Sequence, residues 1–243
     1  IKVTEKKNLF IKLNQSINWK PKSTGDRRFG NWLSNANDWN LSRSRFWGIP
    51  LPIWRTEDSK ETIIIGSIEE LKCEITKSIS LGFMKVDPFD SFQVDDMSDL
   101  NYAQIDLHKN IVDQIILSSK NKKRMYREPD LIDVWFDSGS MPYAQWHYPF
   151  ENKEMIDDNI AFPADYIAEG VDQTRGWFYT LHAISSMVFE SISYKNVISN
   201  GLVLDKNGQK MSKRLGNVVD PFKTIEKFGP DATRWYMISN ANP

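Results

Sequence analysis

The chain has 243 residues, of which 40% are hydrophobic, so it can bury a substantial core and is not disordered. A formal net charge of -1 excludes a globally basic nucleic-acid binder, so any contact with RNA must come from a local patch. The single cysteine, Cys73, excludes disulfides and a cysteine-based zinc site, and no apolar run of about eighteen residues suggests a membrane span. Because the chain begins at Ile1, we expect a segment of a longer protein, in which a targeting peptide cannot be judged.

The first third of the chain carries short, mixed patterns. The alternating residues of LFIKLNQSINW predict a strand within residues 1–20, and the polar string PKSTGDRRFG predicts a connection. A short helix is expected within residues 31–39. Pro50 and Pro52 then exclude a helix interior from the segment around them.

The middle of the chain predicts one clear helix. Residues 67–81 carry an apolar stripe at helical spacing, and Cys73 lies off that stripe; the stripe consists of Ile68, Leu71, Ile75 and Ile79. Residues 83–99 are acidic and typical of a loop, and residues 105–117 fit either a helix or a pair of strands. The basic residues between 120 and 127 could bind RNA, but a solvated hairpin tip is the simpler interpretation.

The second half predicts a parallel sheet. Residues 131–136, 166–168 and 197–204 are typical of short buried strands, and residues 172–190 of a long helix between the last two. Strand, helix and strand in succession form a βαβ unit, and such sheets bind ligands beyond the carboxyl ends of their strands. Two helices follow, at 221–227 and 231–239. Five of their residues are expected to pack in a core: Phe222, Ile225, Phe228, Trp235 and Ile238.

Two segments carry candidate chemistry. The string AEGVDQTRGWF lies where a strand ends and its helix begins, so a carboxylate there could hold the hydroxyls of a ribose. Asp172 could instead simply cap that helix, with Arg175 as its partner. In DKNGQKMSKR, a turn at Asn207 and Gly208 would present nearby lysines to a phosphate, although a solvated basic loop has the same composition.

The longer strings resemble one enzyme family. KMSKRLGN resembles the KMSKS signature of class I aminoacyl-tRNA synthetases, with Arg214 at the position of the usual final serine. EGVDQTRGWF and DVWFDSGS resemble the isoleucyl-tRNA synthetases in particular, as does SRSRFWGIPLP, where Arg43 and Arg45 can also be plain surface charges. The resemblance is strongest at residues 28–54, 129–150 and 163–243.

This resemblance implies an α/β fold, the second half of a Rossmann-like catalytic domain with a mixed insertion and a C-terminal helical segment. Residues 1–30 would return from an editing domain. Residues 31–204 would belong to the catalytic domain, with the insertion at about 55–130, and residues 205–243 would carry the KMSKS-type loop and the start of a helical region that leads toward the tRNA stem.

The same resemblance implies roles for individual residues. Lys210 and Lys213 would be catalytic, and the ATP site would consist of Lys210, Ser212, Lys213, Asp172 and Gln173. The aminoacyl-adenylate would contact Glu169, Gly170, Trp135 and Trp177. The two tryptophans would form walls of an aliphatic pocket, although tryptophans are more commonly core residues. Mg²⁺ would accompany ATP, and no zinc is expected because TEDSKET carries no cysteine.

The function implied is ATP-dependent activation of isoleucine and its transfer to tRNA(Ile), by a monomeric, cytoplasmic enzyme that contacts no membrane. The family's HIGH motif is absent from these residues, so the chain alone is expected to be inactive. A valine or leucine enzyme and a noncatalytic nucleotide-binding module are the alternatives. A dinucleotide-binding dehydrogenase is disfavoured because no GxGxxG follows a strand.

Overall fold

A computed structural model of the chain describes residues 1–240. The helices are α1 (Lys7–Asn14), α2 (Gly30–Ser34), α3 (Ile68–Ser80), α4 (Asp99–Tyr102), α5 (Lys109–Val112), α6 (Val134–Ala144), α7 (Glu154–Asp157), α8 (Trp177–Phe189), α9 (Pro221–Phe228) and α10 (Pro230–Asn240). The strands are β1 (Asn18–Lys20), β2 (Ser42–Arg43), β3 (Ile53–Thr56), β4 (Thr62–Ile64), β5 (Leu117–Ser118), β6 (Arg124–Arg127), β7 (Leu131–Ile132), β8 (Ala164–Gly170) and β9 (Tyr194–Asn200).

The chain forms two compact units. The first consists of Ile1–Trp39 and the chain from Trp135 onward, and the second consists of Asn40–Val134. Each unit has its own buried apolar cluster. None of the helices described within residues 1–240 is both long and apolar enough to cross a membrane.

A parallel sheet organises the first unit. Its strand order is β1-β9-β8, with β9 in the centre, and α8 connects β8 to β9. The predicted α/β class and βαβ unit are therefore confirmed. Apolar side chains from the sheet, from α1 and from α8 fill the core; the largest are Phe10, Trp19, Phe29, Phe178 and Tyr194.

The N-terminal predictions were wrong in two places. Residues 7–14 form a helix rather than a strand, and only residues 18–20 are extended. The apolar positions Phe10 and Ile17 fit helical spacing as well as alternation, and both are buried. Residues 24–29 form a π-helix that continues into α2, where a connection was predicted. Gly25 is required there, because a Cβ would lie 2.3 Å from the ring of Trp19.

The second unit contains the helix predicted most clearly. Ser67 Oγ caps α3 by accepting a hydrogen bond from Glu70 N, and the predicted stripe faces the core, with Leu71 and Ile75 buried. Cys73 is exposed, as expected for a residue off the stripe. The second unit contains a four-stranded antiparallel sheet in the order β4-β3-β6-β5 and a two-stranded antiparallel sheet of β2 and β7.

The ambiguous segments of the second unit resolve into short elements. Residues 105–117 contain the helix α5 and the beginning of β5. Lys120, Lys122 and Lys123 lie at the exposed tip of the β5–β6 hairpin, where Lys123 Nζ bonds Asp58 Oδ2 at 3.0 Å. The hairpin interpretation is confirmed for these lysines, whereas Arg127, at the end of β6, is buried.

The segment that contains Trp135 was assigned wrongly. Strand β7 covers only Leu131 and Ile132, and α6 begins at Val134, so Trp135 lies in the first turn of a helix rather than at the end of a strand. A short apolar run cannot by itself distinguish a buried strand from a helix.

The C-terminal helices occur where they were predicted, but their packing was predicted wrongly. Asp220 Oδ1 caps α9 by accepting from Phe222 N and Lys223 N. The five residues expected in a core are all exposed, with Phe222 80% and Ile238 77% accessible. Residues 241–243 of the predicted C-terminal segment lie outside the described residues.

Candidate functional site

The carboxyl ends of two parallel strands meet at one edge of the sheet. Glu169 pairs with Ser199, and Gly170 pairs with Asn200, at the last positions of β8 and β9. Glu169 is half-buried and Ser199 is buried. Because parallel strands leave this edge in the same direction, the segments that follow β8 and β9 both start from one place, where α/β sheets bind their ligands.

The strand-end turn, residues 169–176, leads from β8 into α8. Gln173 Oε1 accepts a hydrogen bond from Trp177 N at 2.9 Å, and Gln173 Nε2 donates to Asp172 Oδ2 at 3.2 Å. Gln173 therefore caps α8, which satisfies one of the unpaired amides of its first turn. The alternative in which Asp172 caps the helix is wrong. Its exposed carboxylate lies over Gly170, where a Cβ would come within 2.5 Å of Asp172 Oδ1.

Two contacts fix the strand-end turn to the rest of the first unit. Arg28 Nε donates to Thr174 Oγ1 at 3.0 Å, and Thr174 is fully buried. The guanidinium of Arg175 lies 5.2 Å from the ring centroid of Trp32, a distance at which a cation and an aromatic ring attract. Arg175 is therefore engaged by Trp32 rather than by Asp172.

Trp135 and Trp177 meet at the start of α8. Trp177 Nε1 donates to Ser138 O at 2.9 Å, which fixes the indole of Trp177 against α6. Trp135 packs on Gly176, because a Cβ at that glycine would lie 3.2 Å from Trp135 Cη2. Trp135 is 42% exposed, unlike a core tryptophan. The structure thus brings both indoles to the strand-end turn, which carries Glu169, Gly170, Asp172 and Gln173.

The lysine loop, residues 204–217, continues from β9. Leu204 and Lys210 form an antiparallel bridge, and Asp205 N donates to Gln209 O at 2.8 Å. Gly208 has a φ of +73°, a conformation that glycine adopts at little cost. The turn predicted at Asn207 and Gly208 is therefore confirmed.

The second half of the lysine loop is a short 3₁₀ turn, Lys213–Leu215, that ends at Gly216 with a φ of +65°. Ser212 Oγ caps this turn by accepting from Arg214 N at 3.2 Å. The amines of Lys210 and Lys213 are exposed and, within residues 1–240, make neither a hydrogen bond nor an ion pair. Both charges are thus open to an anion, and neither contacts the carboxylates of the strand-end turn.

Asp205 and Asn217 tie the lysine loop together. Asn217 Nδ2 donates to Asp205 Oδ2 at 2.8 Å and to Lys210 O at 3.3 Å. Asn217 Oδ1 accepts from Ser212 N at 2.8 Å. The hydrogen bonds from Asn217 and from the backbone N of Gln209 lower the pKa of Asp205, because they stabilise its ionised form.

The sequence reasoning did not single out four residues that shape these segments: Ser138, Gly176, Asp205 and Asn217. An aspartate just before an Asn-Gly turn is a turn-forming signal and could have identified Asp205. Asn217 carries no comparable local signal, because its partners lie five to twelve positions earlier in the chain.

Burial perturbs a histidine outside these segments. His182 is fully buried in the core, and its Nε2 lies 2.9 Å from Phe10 O. Burial lowers the pKa of His182 to about 4, because the charged form would lose its hydration. His182 is therefore a neutral core residue on α8 and contributes to packing rather than to the site.

The second unit holds none of the predicted site residues. Arg43 Nη2 pairs with Asp133 Oδ2 at 2.5 Å, and Arg45 is exposed. Within residues 1–240, no group of three or more His, Cys, Asp or Glu side chains is arranged to hold a metal ion.

Comparison with known proteins gives a family match over the whole chain. A family model described as tRNA synthetases class I (I, L, M and V) matches residues 1–243. The isoleucine–tRNA ligase of Bacteroides fragilis is 64% identical over 100% of this chain and 22% of its own length. That of Thermus thermophilus is 47% identical over 100% of this chain and 21% of its own. The chain spans about a fifth of the length of the curated relatives it matches.

Two further similarities agree with this match. A cytoplasmic isoleucine–tRNA ligase of Arabidopsis thaliana is 43% identical over 99% of this chain and 18% of its own length. Among solved structures, LeuRS of Agrobacterium radiobacter K84, in a ternary complex with tRNA and LeuAMS, aligns with a TM-score of 0.53 and 23% identity, over 83% of this chain and 24% of that one. At that identity the structural likeness supports the fold alone.

Proposed function

Because the chain belongs to the class I tRNA synthetases for I, L, M and V, we propose that it is part of an isoleucine–tRNA ligase. Its similarity to the isoleucine–tRNA ligases of Bacteroides fragilis and Thermus thermophilus supports this choice within the family. The observation that carries the proposal is the shared sheet edge, from which the strand-end turn and the lysine loop both extend.

The proposed organisation follows the family. Residues 1–30 lead back from an editing domain, and residues 31–204 form the second half of the catalytic domain, with an insertion at about 55–130. Residues 205–243 carry the lysine loop and begin the helical region. Because the HIGH motif is absent from the 243 residues, this chain by itself does not aminoacylate tRNA.

In the activation step, a carboxylate oxygen of isoleucine attacks the α-phosphorus of ATP. The bond to the bridging oxygen breaks, and pyrophosphate leaves with additional negative charge. Lys213 and Lys210, whose amines are exposed on the loop, neutralise this charge most strongly in the transition state, which lowers the barrier. Ser212 contacts the same phosphates.

The strand-end turn binds the rest of the nucleotide. The exposed carboxylate of Asp172 accepts hydrogen bonds from the ribose, with Gln173 beside it, and Glu169 contacts the aminoacyl-adenylate. Gly170 keeps the backbone accessible under the carboxylate of Asp172. The terminal ribose hydroxyl of tRNA(Ile) then attacks the adenylate carbonyl, and AMP leaves.

Trp135 and Trp177 form an apolar pocket for the aliphatic side chain of isoleucine. Such a pocket leaves a polar side chain unpaired and excludes it. It rejects valine only weakly, because the absence of one methylene lowers the binding free energy by only about 1–3 kcal/mol. Isoleucine enzymes are the usual example of this weak discrimination. The proposal therefore includes an editing domain elsewhere in the protein.

The proposal also includes a metal ion, an oligomeric state and a location in the cell. Mg²⁺ commonly binds one or two carboxylates together with substrate phosphates and water, and it would add positive charge at the pyrophosphate. The proposal includes a monomeric, cytoplasmic enzyme. The cytoplasmic relative from Arabidopsis thaliana supports the location.

Amino-acid-dependent exchange of pyrophosphate into ATP by the full-length enzyme tests the proposal. We expect exchange with isoleucine to exceed exchange with valine or leucine. Lys213→Ala should lower the exchange rate by about a hundredfold or more. Lys206→Ala removes an exposed lysine of the same loop and serves as the matched control, with no change expected. Faster exchange with valine, or full activity of Lys213→Ala, would contradict the proposal.

A further inference from the structure

The lysine loop has little buried surface to define its shape. Most of its residues are exposed, and two of its glycines adopt positive φ angles. Ordering a free backbone costs conformational entropy at every residue that is fixed. A loop that became ordered only in the transition state would add this cost to the barrier, so its lysines act efficiently only if the loop is ordered beforehand.

Asp205 connects the two parts of this loop. Its Oδ1 accepts from Asn207 N at 2.9 Å and from Gln209 N at 2.8 Å, which closes the turn before the first lysine. Its Oδ2 accepts from Asn217 Nδ2, on the far side of the second lysine. One carboxylate therefore joins the beginning of the loop to its end.

Asn217 completes the connection. Its amide uses its oxygen and its nitrogen at once, on Ser212 N, on Asp205 and on the carbonyl of Lys210. Lys210 and Ser212 lie on either side of Met211, so Asn217 fixes the backbone of the motif itself. Ser212 in turn caps the 3₁₀ turn that begins at Lys213.

We propose that Asp205 and Asn217, the Asp205–Asn217 clasp, are positioning residues that hold both lysine-bearing segments in the arrangement that receives the phosphates of ATP. They do not touch the substrate, and they act through the backbone of Lys210 and Ser212. This inference rests on the proposed function. It adds that the phosphate-binding loop is ordered before ATP binds, and that this order does not depend on the strand-end turn.

The test is made in the full-length enzyme by pyrophosphate exchange. Asn217→Ala removes three hydrogen bonds, one of them to a carboxylate. We expect kcat/KM for ATP to fall roughly tenfold to a hundredfold, with the KM for isoleucine unchanged. Asn207→Ala is the matched control, because it removes a side-chain amide that is exposed on the same loop, and its activity should equal that of the wild type.

Exchanging the side chains at positions 205 and 217 distinguishes a positioning role from a general effect on folding. Asn217→Asp alone places two carboxylates together and should be slower than Asn217→Ala. The double variant Asp205→Asn with Asn217→Asp restores the bond between positions 205 and 217 and keeps the acceptor for Ser212 N, but it cannot donate to Lys210 O. It should therefore be faster than Asn217→Asp without reaching the wild-type rate. Transfer of isoleucine from preformed adenylate to tRNA should be unchanged in every variant, because ATP plays no part in that step.

The outcomes distinguish the two proposals. Wild-type enzyme that activates valine rather than isoleucine overturns the proposed function, and the variants are then compared with valine. Asn217→Ala with the wild-type kcat/KM for ATP overturns the clasp, as does a double variant no faster than Asn217→Asp. Equal losses in activation and in transfer also overturn it, because they would indicate a general loss of structure.

Discussion

Replacing Gly176 by alanine tests whether the strand-end turn sets the shape of the amino-acid pocket. The new Cβ would lie 2.6 Å from Gln173 Oε1 and 3.2 Å from Trp135 Cη2. The amide of Gln173 would have to turn away, which would release Trp177 N, and the ring of Trp135 would have to move by a few tenths of an ångström. The indole of Trp135 would therefore be displaced, and the backbone of Trp177 would lose a hydrogen bond.

The size of the effect follows from these two contacts. Loss of a helix cap costs about 1 kcal/mol, and crowding of a packed side chain adds about 1 kcal/mol. If the sum of about 2 kcal/mol falls on isoleucine binding, it corresponds to roughly thirtyfold in kcat/KM. We expect kcat/KM for isoleucine to fall toward this limit in the full-length enzyme, with the KM for ATP unchanged.

Gly170→Ala is the matched control, because it adds the same methyl group to the same turn. Its Cβ would lie 2.5 Å from Asp172 Oδ1 and would displace the carboxylate assigned to the ribose. Pyrophosphate exchange measured against each substrate in turn should therefore show a raised KM for ATP and an unchanged KM for isoleucine. The reasoning is refuted if both variants affect the same substrate, or if Gly176→Ala leaves isoleucine activation unaltered.

Two predictions concern stability. Burial lowers the pKa of His182 to about 4 in the folded chain. Between about pH 6.5 and pH 4 the unfolded chain therefore binds a proton that the folded chain does not. The free energy of unfolding should fall by about 3 kcal/mol as the pH is lowered through that interval. Melting temperatures of wild type and His182→Gln at about pH 7.5 and about pH 5 should show a smaller acid loss in the variant. Arg127→Ala should destabilise the second unit by about 3 kcal/mol, since the buried guanidinium pairs with Asp113 and donates to the carbonyls of Leu51 and Asp130. Urea unfolding measures this loss, and a midpoint equal to that of the wild type would contradict it.

Patterns that involve neighbouring residues were predicted well from the sequence. The stripe of α3 is local, because residues three and four apart share one helix face. The Asn-Gly turn is local as well, because Gly208 supplies its positive φ and its hydrogen bonds join residues at most four positions apart. The βαβ unit followed from apolar runs on either side of α8, and the parallel pairing of β8 and β9 agrees with it.

Features that depend on distant partners could not be predicted in this way. Residues 7–14 alternate like a strand, but contacts with the rest of the first unit select a helix for them, in which Asn14 Nδ2 bonds Gly25 O. The apolar pattern of α9 and α10 identified a face but could not indicate whether anything covers it. The roles given to the site residues, and the domain boundaries, stay predictions.

The central position of β9 has a mechanical consequence. Strand β8 pairs with β9 from Tyr194 to Asn200, and β1 pairs with its middle, at residues 196–198. The segment that carries the lysines is therefore anchored to the most restrained strand of the sheet. If this segment closes over a nucleotide, its hinge is expected beyond Asn200, where the pairing with β8 ends.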